Sequence, residues 1–351
     1  MFVRGKKNLM KILIIGGTKF LGRHLVTAAQ TRNHEITLFN RGKHSSENFE
    51  NVEQIHGDRN SDLGKLDGRS WNAVIDTCGY LPQTVKASVE ALKNSVEQYV
   101  FISSISAYAD FSNSNYDETE PVATLTEEQK GKANKIDPKG EITAVVLEDM
   151  YGALKVLCEQ EAEKALPGKT LIVRSGLIVG SFDSTDRFTY WAMRTADGGE
   201  VFAPGTPNRF VQLIDVRDLA EWIIRMIECS ESGIYNVTGK PFELTMEKML
   251  EEIKQVSGSD ASFTWVDEDF LKRENVEEWS EMPLYMAESN EEAQGFLSAN
   301  IDKALAKNLE FRPLNETIED TLAWRKTRTD YMKAGISVER EKELLRKWHE
   351  Q

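Results

Sequence analysis

Short apolar segments alternate with segments of helical periodicity along the first part of the chain. Residues 12–15 form a continuous apolar run typical of a strand buried on both faces of a sheet, and further strands are predicted at 35–39, 52–55, 73–75 and 99–102. Between them, apolar residues recur at helical spacing, as in residues 20–29 and 85–92. This alternation predicts an α/β protein with a doubly wound parallel sheet and right-handed crossovers.

The remainder of the chain predicts a mixture of helices and single strands. Leu344, Leu345 and Trp348 indicate an amphipathic helix near the end, packed on the body of the protein. The other predicted elements are a helix over 146–162, strands at 211–214 and 234–237, a helix at 216–227 between them, and helices near 245–256 and 315–325.

The first strand runs directly into a glycine turn and then a helix. Glycine lets the backbone approach a pyrophosphate closely, and the unpaired N–H groups at a helix N-terminus attract phosphate. The spacing is Gly16-x-x-Lys19-x-x-Gly22, with Lys19 at the central position, and a plain turn between a core strand and a core helix remains the alternative. The cofactor-binding candidates of this turn are Gly16, Gly17, Thr18, Lys19, Phe20, Leu21 and Gly22.

A phosphate-binding turn after the first strand of a parallel sheet indicates a Rossmann-type dinucleotide-binding domain. The chain has 351 residues, which exceeds the usual single core, so we expect a second, smaller and mostly helical substrate domain. The first domain is assigned to 10–180, with 210–240 returning to it, and the second to 181–209 and 241–351.

The residues after the second strand bear on which dinucleotide binds. NAD sites usually place an acid there for the ribose 2′-hydroxyl, and NADP sites use Arg for the 2′-phosphate. Here the chain reads Asn40-Arg41-Gly42-Lys43, without an acid, so NADP(H) is favoured and NAD(H) is possible. A solvated basic turn is the alternative. The ends of the next strands add Asp58, Cys78 and Ser103 as further cofactor-binding candidates.

Tyr151 and Lys155 lie one helical turn apart in the predicted helix. A nearby cation favours a phenolate and lowers a tyrosine pKa toward a value useful for proton transfer. Ser104 follows the fifth strand, at the edge of a parallel sheet where ligands bind. Ser104, Tyr151 and Lys155 are therefore the catalytic candidates.

A long polar stretch, residues 110–137, interrupts the alternation, with a short helix expected near 126–132. It is interpreted as a flap over the active site, with a solvated loop as the alternative.

The composition, with 40% hydrophobic and 28% charged residues, is that of an ordinary soluble protein, and no apolar run suggests a membrane span. The residues before Met10 read as a short basic tail outside the fold.

Three widely spaced cysteines fit a reduced cytoplasmic setting, and no metal-binding spacing is present. The net charge of −14 argues against general binding to nucleic acid, which needs a basic surface.

The motifs IGGTKFLG, VFISSISAY, YGALK, IVRSGLIVG and QLIDVRDLA together resemble the extended short-chain dehydrogenase/reductase family, also called NAD-dependent epimerase/dehydratases. The resemblance covers roughly Met10 to Thr245. It implies that Ser104 orients the substrate oxygen, that Tyr151 is the acid/base, and that Lys155 holds the nicotinamide ribose and lowers the pKa of Tyr151. It also implies a homodimer through the Tyr151 helix.

Several positions depart from that family's pattern. Lys19 replaces a glycine, and the interval from Ser104 to Tyr151 is long. The segment 175–178 lacks the asparagine typical of nucleotide-sugar enzymes, and Arg209 lies about two residues from the register of their phosphate-binding arginine. These last departures weigh against a nucleotide-sugar substrate.

Residues 182–208 are expected to form a wall of the substrate pocket with Phe188, Tyr190, Trp191 and Phe202, although the same aromatics could form a core. The substrate-binding candidates are Tyr80, Tyr190 and Arg209.

Three functions remain open at this stage. The first is an NAD(P)-dependent oxidoreductase acting on a carbonyl or alcohol through Ser104, Tyr151 and Lys155. The second is a nucleotide-sugar epimerase or dehydratase with tightly held NAD. The third is a non-catalytic RNA-binding protein, since some chloroplast relatives of the family share the GGT-x-F turn and bind RNA. The expected partners are a small-molecule substrate and possibly a second copy of the chain, with no nucleic acid and no membrane.

Overall fold

The computed structural model describes residues 9–43, 49, 51–140 and 142–351, so most of the expected basic tail lies outside the described residues. The strands, in chain order, are β1 (Lys11–Ile15), β2 (Glu35–Asn40), β3 (Glu53–His56), β4 (Trp71–Asp76), β5 (Val96–Ser104), β6 (Thr170–Ser175), β7 (Leu177–Val179), β8 (Glu200–Pro204), β9 (Leu213–Asp215), β10 (Gly233–Val237) and β11 (Ser262–Val266).

The helices, in chain order, are α1 (Phe20–Thr31), α2 (Pro82–Leu92), α3 (Glu127–Ala133), α4 (Ala144–Leu147), α5 (Tyr151–Ala165), α6 (Arg187–Ala196), α7 (Val216–Glu228), α8 (Met246–Ser257), α9 (Glu268–Arg273), α10 (Asp302–Leu305), α11 (Leu314–Lys326) and α12 (Val338–His349).

A seven-stranded parallel sheet in the order β10-β6-β5-β4-β1-β2-β3 forms the centre of the first domain. Ile15, the last residue of β1, pairs with Phe39 of β2 on one side and with Asp76 of β4 on the other. Because the strands are parallel and end in register, their carboxyl ends form one edge. The predicted doubly wound Rossmann-type fold is confirmed.

Both faces of the sheet are covered, which explains the continuous apolar runs. Ile12 and Ile14 of β1 belong to a core that contains residues of α1 and α7. Leu13 and Ile15 point to the other face, where residues of α2 and α5 complete a second core. Alternate residues of one short strand therefore serve two different cores.

The long helix predicted over 146–162 is wrong in one respect, because it is broken just before Tyr151. The helix α4 ends at Leu147, residues Glu148–Met150 form a 3₁₀ turn, and Tyr151 begins α5. Glu148 has φ +47° and ψ −128°, a conformation that no α-helix can contain. Apolar residues continue at helical spacing through the break, so the sequence pattern does not predict it.

The segment 213–237 divides between two sheets. Strand β9 pairs with β7 in a separate two-stranded sheet, whereas β10 adds to the main sheet beside β6. Between them, α7 packs against α1. Helix α7 and strand β10 therefore join the main sheet and its core, whereas the expected strand at 211–214 starts two residues later and lies outside the main sheet.

The C-terminal part has its own core, which includes residues of α6, α8, α11, α12, β8 and β11. Phe188, Trp191 and Phe202 are completely buried there, and Tyr190 is 2% exposed. The expectation that these four aromatics wall the substrate pocket is wrong, because the three in α6 pack toward α8 and α11 and Phe202 of β8 packs against Phe270 in the same core.

Candidate active site

A cavity of about 840 Å³ lies at the carboxyl edge of the main sheet. One part of its wall comes from the ends of β1, β2, β4 and β5 and from the start of α1. The other part comes from α5, from residues 183–187 and from Trp279 and Phe296. Such a position, outside the strand ends of an open parallel sheet, is where ligands bind in this class of fold.

The glycine turn has the geometry of a phosphate site. Gly16 and Gly17 have φ of +95° and +79°, which favours glycine at both positions. A Cβ added to Gly22 would lie 2.4 Å from the Cα of Gly17, so only glycine lets the helix meet the turn. No side chain caps α1, and the first backbone N–H groups of a helix have no intrahelical acceptor. The turn thus leaves backbone donors free at the cavity, and the residues present fit a pyrophosphate.

Residues 16–22 all line the cavity, and Asn40 and Arg41 lie in the same wall. The side-chain oxygen of Asn40 accepts a hydrogen bond from the N–H of Gly42 at 2.8 Å, which holds the turn that carries Arg41. Arg41 is exposed, and Lys19 and Lys43 line the same part of the cavity.

Asp58 also lines the cavity, but its carboxylate is engaged within its own turn. It accepts hydrogen bonds from the backbone N–H and side-chain amide of Asn60, at 2.8 and 3.0 Å. Cys78 lines the cavity as well, and burial raises the pKa of its thiol. Its backbone N–H donates to Asp76, whose carboxylate is paired with the buried Arg59.

Ser103 lies in the wall with its hydroxyl already in use. It donates to Oε1 of Glu159 at 2.5 Å, and Glu159 is paired in turn with Arg174. This hydroxyl belongs to the buried network between β5, β6 and α5, and the expectation that Ser103 binds the cofactor stays a prediction.

The three catalytic candidates line the same cavity. Ser104 acts on the Tyr151 hydroxyl as a hydrogen-bonding side chain, and its own hydroxyl donates to Oγ of Ser106 at 3.1 Å. The close approach of α5 to the end of β5 depends on Gly152, because a Cβ there would lie 1.8 Å from the carbonyl oxygen of Ser106. The sequence Tyr151-Gly152 thus brings the phenol to the strand end that carries Ser104.

Lys155 is held in a defined orientation and is 4% exposed. Its ammonium donates to the carbonyl oxygens of Gly79, at 2.9 Å, and Ile102, at 2.6 Å. It also lies 5.3 Å from the ring centroid of Tyr80, which lines the cavity as expected. Gly79 lies in the loop after β4 and Ile102 lies in β5, so Lys155 connects α5 to both.

The expectation that Lys155 lowers the pKa of Tyr151 is not met by this arrangement. Burial raises the pKa of Tyr151, while the hydrogen bond with Ser104 and the charge of Arg187 act in the opposite direction. Arg187 is the cation that acts on the phenol, while the ammonium of Lys155 acts on Tyr80.

Arg187 was not identified from the sequence. It is the first residue of α6 and lines the cavity together with Asp183, Ser184, Thr185 and Trp279. The available signal was a group of charged residues, DSTDR, at the start of a segment otherwise rich in aromatics. The charged residues line the cavity, and the aromatics fill the core behind them.

Two substrate-binding candidates lie elsewhere. Tyr190 is buried in the C-terminal core, and Arg209 stacks on the ring of Tyr285 at 4.8 Å, outside the cavity wall. The expectation of substrate contact through either residue is wrong, because their side chains are committed to packing within the C-terminal part.

The loop segment that lines the cavity lies further along the chain than the predicted flap. The helix expected at 126–132 is present as α3, with a capping box between Thr126 and Gln129. However, the described cavity wall includes no residue of 110–137, and residues 138–148 contribute instead, among them Pro138, Thr143 and Glu148. The first part of the long loop packs against residues 295–300 through backbone hydrogen bonds.

The comparison with known families decides the assignment. A profile of the NAD dependent epimerase/dehydratase family matches residues 12–238. The chain belongs to this family. The resemblance drawn from the motifs is thereby confirmed, and the family is one of enzymes.

The chain is also similar to two curated proteins. It is 26% identical to chloroplast stem-loop binding protein of 41 kDa b of Arabidopsis thaliana over 253 residues, which are 66% of this chain and 59% of that protein. It is 24% identical to the epimerase family protein SDR39U1 of Bos taurus over 251 residues, covering 65% of this chain and 74% of that one.

Solved structures of the family share the fold at low identity. The UDP-glucuronic acid 4-epimerase of Bacillus cereus, in complex with NAD, matches with a TM-score of 0.64 at 15% identity over 91% of this chain and 99% of that one. The Bordetella bronchiseptica enzyme WbmG, in complex with NAD and UDP, matches with a TM-score of 0.63 at 14% identity over 91% and 96%.

Two negative findings concern the part of the chain that the structure describes. None of its helices combines the length and the apolar character that crossing a membrane requires. Its His, Cys, Asp and Glu side chains form no group that could hold a metal ion.

Proposed function

We propose that this chain is a nicotinamide-dependent oxidoreductase that interconverts a carbonyl and an alcohol. The observation that carries the proposal is the presence of Ser104, Tyr151 and Lys155 in the same cavity as the glycine turn. Family membership and the NAD bound to similar structures support a nicotinamide dinucleotide. Bound there, the nicotinamide would supply or accept the hydride.

The chain's own residues would hold the dinucleotide and move the proton. The backbone N–H groups of Phe20, Leu21 and Gly22 would bind the pyrophosphate. Tyr151 would give its hydroxyl proton to the carbonyl oxygen in reduction and take it back from the alcohol in oxidation. Its raised pKa keeps the phenol protonated at neutral pH, as an acid must be before it donates.

Ser104 and Lys155 would position the reacting groups. Ser104, hydrogen-bonded to Tyr151, is placed to orient the same substrate oxygen. Lys155 donates to the carbonyls of Gly79 and Ile102, and its third N–H would bind a ribose hydroxyl. A screen of aldehydes and ketones for oxidation of NADPH, with wild-type protein, tests the proposal.

We further propose that the enzyme favours NADP(H) over NAD(H). Arg41 and Lys43 follow β2, Lys19 follows β1, and all three line the cavity, where Oδ1 of Asp58 accepts hydrogen bonds from Asn60. A 2′-phosphate would therefore meet three cations at this end of the cavity.

An epimerase or dehydratase is the second candidate, favoured by the family and by the sugar-nucleotide enzymes among the similar structures. Such an enzyme reoxidises its cofactor within one turnover and holds it tightly, whereas an oxidoreductase exchanges it. We expect the purified protein to lose dinucleotide on extensive dialysis and to bind added NADPH reversibly, as measured by NADPH fluorescence. Dinucleotide that survives dialysis and is released only on denaturation would favour the epimerase.

An RNA-binding function is the third candidate, because one relative is a stem-loop binding protein. We propose that this chain does not share it, since its net charge of −14 opposes an electrostatic contribution from phosphates. In a filter-binding assay with an RNA stem-loop, we expect no saturable retention at physiological salt. Saturable binding that weakens steeply as salt rises would contradict this.

The homodimer through α5 and the cytoplasmic setting stay predictions. Sedimentation of the purified chain over a range of concentrations would test the first.

A further inference from the structure

Arg187 is a partly buried cation in the cavity wall, and no described residue supplies a hydrogen-bond acceptor or a paired carboxylate to it. It makes no hydrogen bond and no ion pair with any residue that the structure describes, although Asp183 and Tyr151 act on it electrostatically. Burial lowers the pKa of its guanidinium. A charge that is removed from water without a compensating partner is costly, and such a charge is usually found where a ligand supplies the partner.

The other enclosed cations of the cavity differ from Arg187 in this respect. Arg59 forms a two-pronged ion pair with Asp76, with N–O distances of 2.8 and 2.6 Å. Lys155 donates to two backbone carbonyls. The fold therefore supplies acceptors to buried cations in this region, and Arg187 is the exception among the described residues.

Asp183, the nearest carboxylate acting on Arg187, is already committed. Its oxygens accept hydrogen bonds from the backbone N–H and the hydroxyl of Thr185, at 2.8 to 3.0 Å. Burial raises the pKa of Asp183 to about 6, so the carboxylate stays mostly ionised at neutral pH and loses its charge as the pH falls through 6. Arg187 thus keeps its donors for something that enters the cavity.

The surroundings of Arg187 provide a second observation. Its guanidinium lies 5.2 Å from the ring centroid of Trp279, which is in edge contact with Phe296 at 5.8 Å. Trp279 has φ +64°, a strained conformation for a bulky residue. Strain of this kind persists where the surrounding structure needs a side chain in one place, which is common at ligand sites.

We infer that Arg187 binds an anionic group on the reacting fragment of the substrate, so that the substrate is a compact carbonyl or alcohol compound bearing a carboxylate or a phosphate. A guanidinium can hold either anion through two parallel hydrogen bonds. Trp279 and Phe296 provide an apolar wall beside it. The word substrate here rests on the proposed function, whereas the anion site itself does not.

The position of Arg187 also explains how such a substrate would be oriented. Arg187 acts electrostatically on the hydroxyl of Tyr151, so the two side chains face one region of the cavity. An anion fixed at Arg187 would leave a carbonyl a few atoms away directed toward Tyr151 and Ser104. Two-point attachment of this kind restricts both the length and the orientation of the substrate.

The test titrates inorganic phosphate and, separately, acetate into wild-type protein and Arg187→Gln, following intrinsic tryptophan fluorescence. Each titration is run without dinucleotide and with saturating NADP+, which occupies the pyrophosphate site. Loss of charge-assisted hydrogen bonds should weaken binding of the preferred anion by about ten- to a hundredfold in Arg187→Gln. The anion that binds more tightly to wild type identifies the group as phosphate or carboxylate.

Two further variants complete the experiment. Arg328→Gln is the matched control, because Arg328 also lies over a tryptophan ring, at 4.9 Å from Trp324, but outside the cavity. It should bind anions as wild type does. Arg187→Lys keeps the positive charge but lacks the two-pronged guanidinium, so it should bind the anion with intermediate affinity. It replaces Arg187→Gln in the comparison if thermal unfolding shows that Arg187→Gln is not folded.

Equal anion affinity in wild type and Arg187→Gln would overturn the inference, and so would the absence of binding of both anions to wild type. Failure of the proposed function has a different signature. In that case neither wild type nor variant would bind NADP+ in the same experiment, while the difference between the two proteins measured without dinucleotide would still decide the anion site.

Discussion

Tyr151→Phe should lower kcat by about 100- to 10,000-fold and leave the Kd for the dinucleotide nearly unchanged. The substitution removes only the hydroxyl that hydrogen-bonds with Ser104, and the ring that packs near Tyr80 is kept. The measurements are steady-state turnover with a substrate found in the carbonyl screen and a titration of NADPH fluorescence.

Tyr331→Phe provides the control, since Tyr331 is 96% exposed and lies outside the cavity wall. It should turn over as wild type does. Turnover near the wild-type rate in Tyr151→Phe would remove Tyr151 from the mechanism, whereas loss of dinucleotide binding would mean that the phenol supports the site structurally.

The pH dependence follows from the environment of the same hydroxyl. Burial raises the pKa of Tyr151, so the phenol is protonated across the neutral range. Reduction needs the protonated form and should therefore fall only at high pH. Oxidation needs the phenolate and should rise with pH over the same interval, because both directions use one titrating group.

The parts of the site that rest on backbone geometry could be predicted from the sequence. Gly16, Gly17 and Gly22 follow a continuous apolar strand, and the requirement for glycine is visible in the residue type itself. Ser104 was placed correctly at a strand end for a similar reason, since parallel strands end at one edge. These inferences need only local pattern and topology.

Side-chain direction could not be predicted in the same way. Ser103 and Ser104 are adjacent, but successive residues of a strand point to opposite faces, so Ser103 donates to Glu159 in the core. Lys155 lies one turn from Tyr151 as expected, yet the carbonyls of Gly79 and Ile102 take its donors. Those acceptors come from distant parts of the chain.

The part of the cavity wall that α6 contributes was the least predictable part of the site. Tyr190 and Arg187 are both in α6, and aromatic content favoured Tyr190 as the substrate contact. Burial of an aromatic face against α8 and α11 removed Tyr190 from the cavity and left Arg187 in its wall. Which face of a helix meets a cavity depends on packing between elements that are far apart in sequence.

Arg41→Ala should lower the affinity for NADP(H) by about ten- to a hundredfold and hardly change the affinity for NAD(H). A 2′-phosphate adds up to two negative charges, and the guanidinium can meet it with two donors. NAD(H) presents only a hydroxyl at this place, so its affinity should depend little on Arg41. The measurement is a titration of both dinucleotides against wild type and variant.

Arg69→Ala is the matched control, because Arg69 is an exposed arginine paired with Glu53 outside the cavity wall. It should change neither affinity. Equal losses for NADP(H) and NAD(H) in Arg41→Ala would mean that Arg41 supports the shared framework, through the turn that Asn40 holds. A wild-type preference for NAD(H) would overturn the cofactor assignment. It would also strengthen the epimerase candidate, since the similar epimerase and WbmG structures bind NAD.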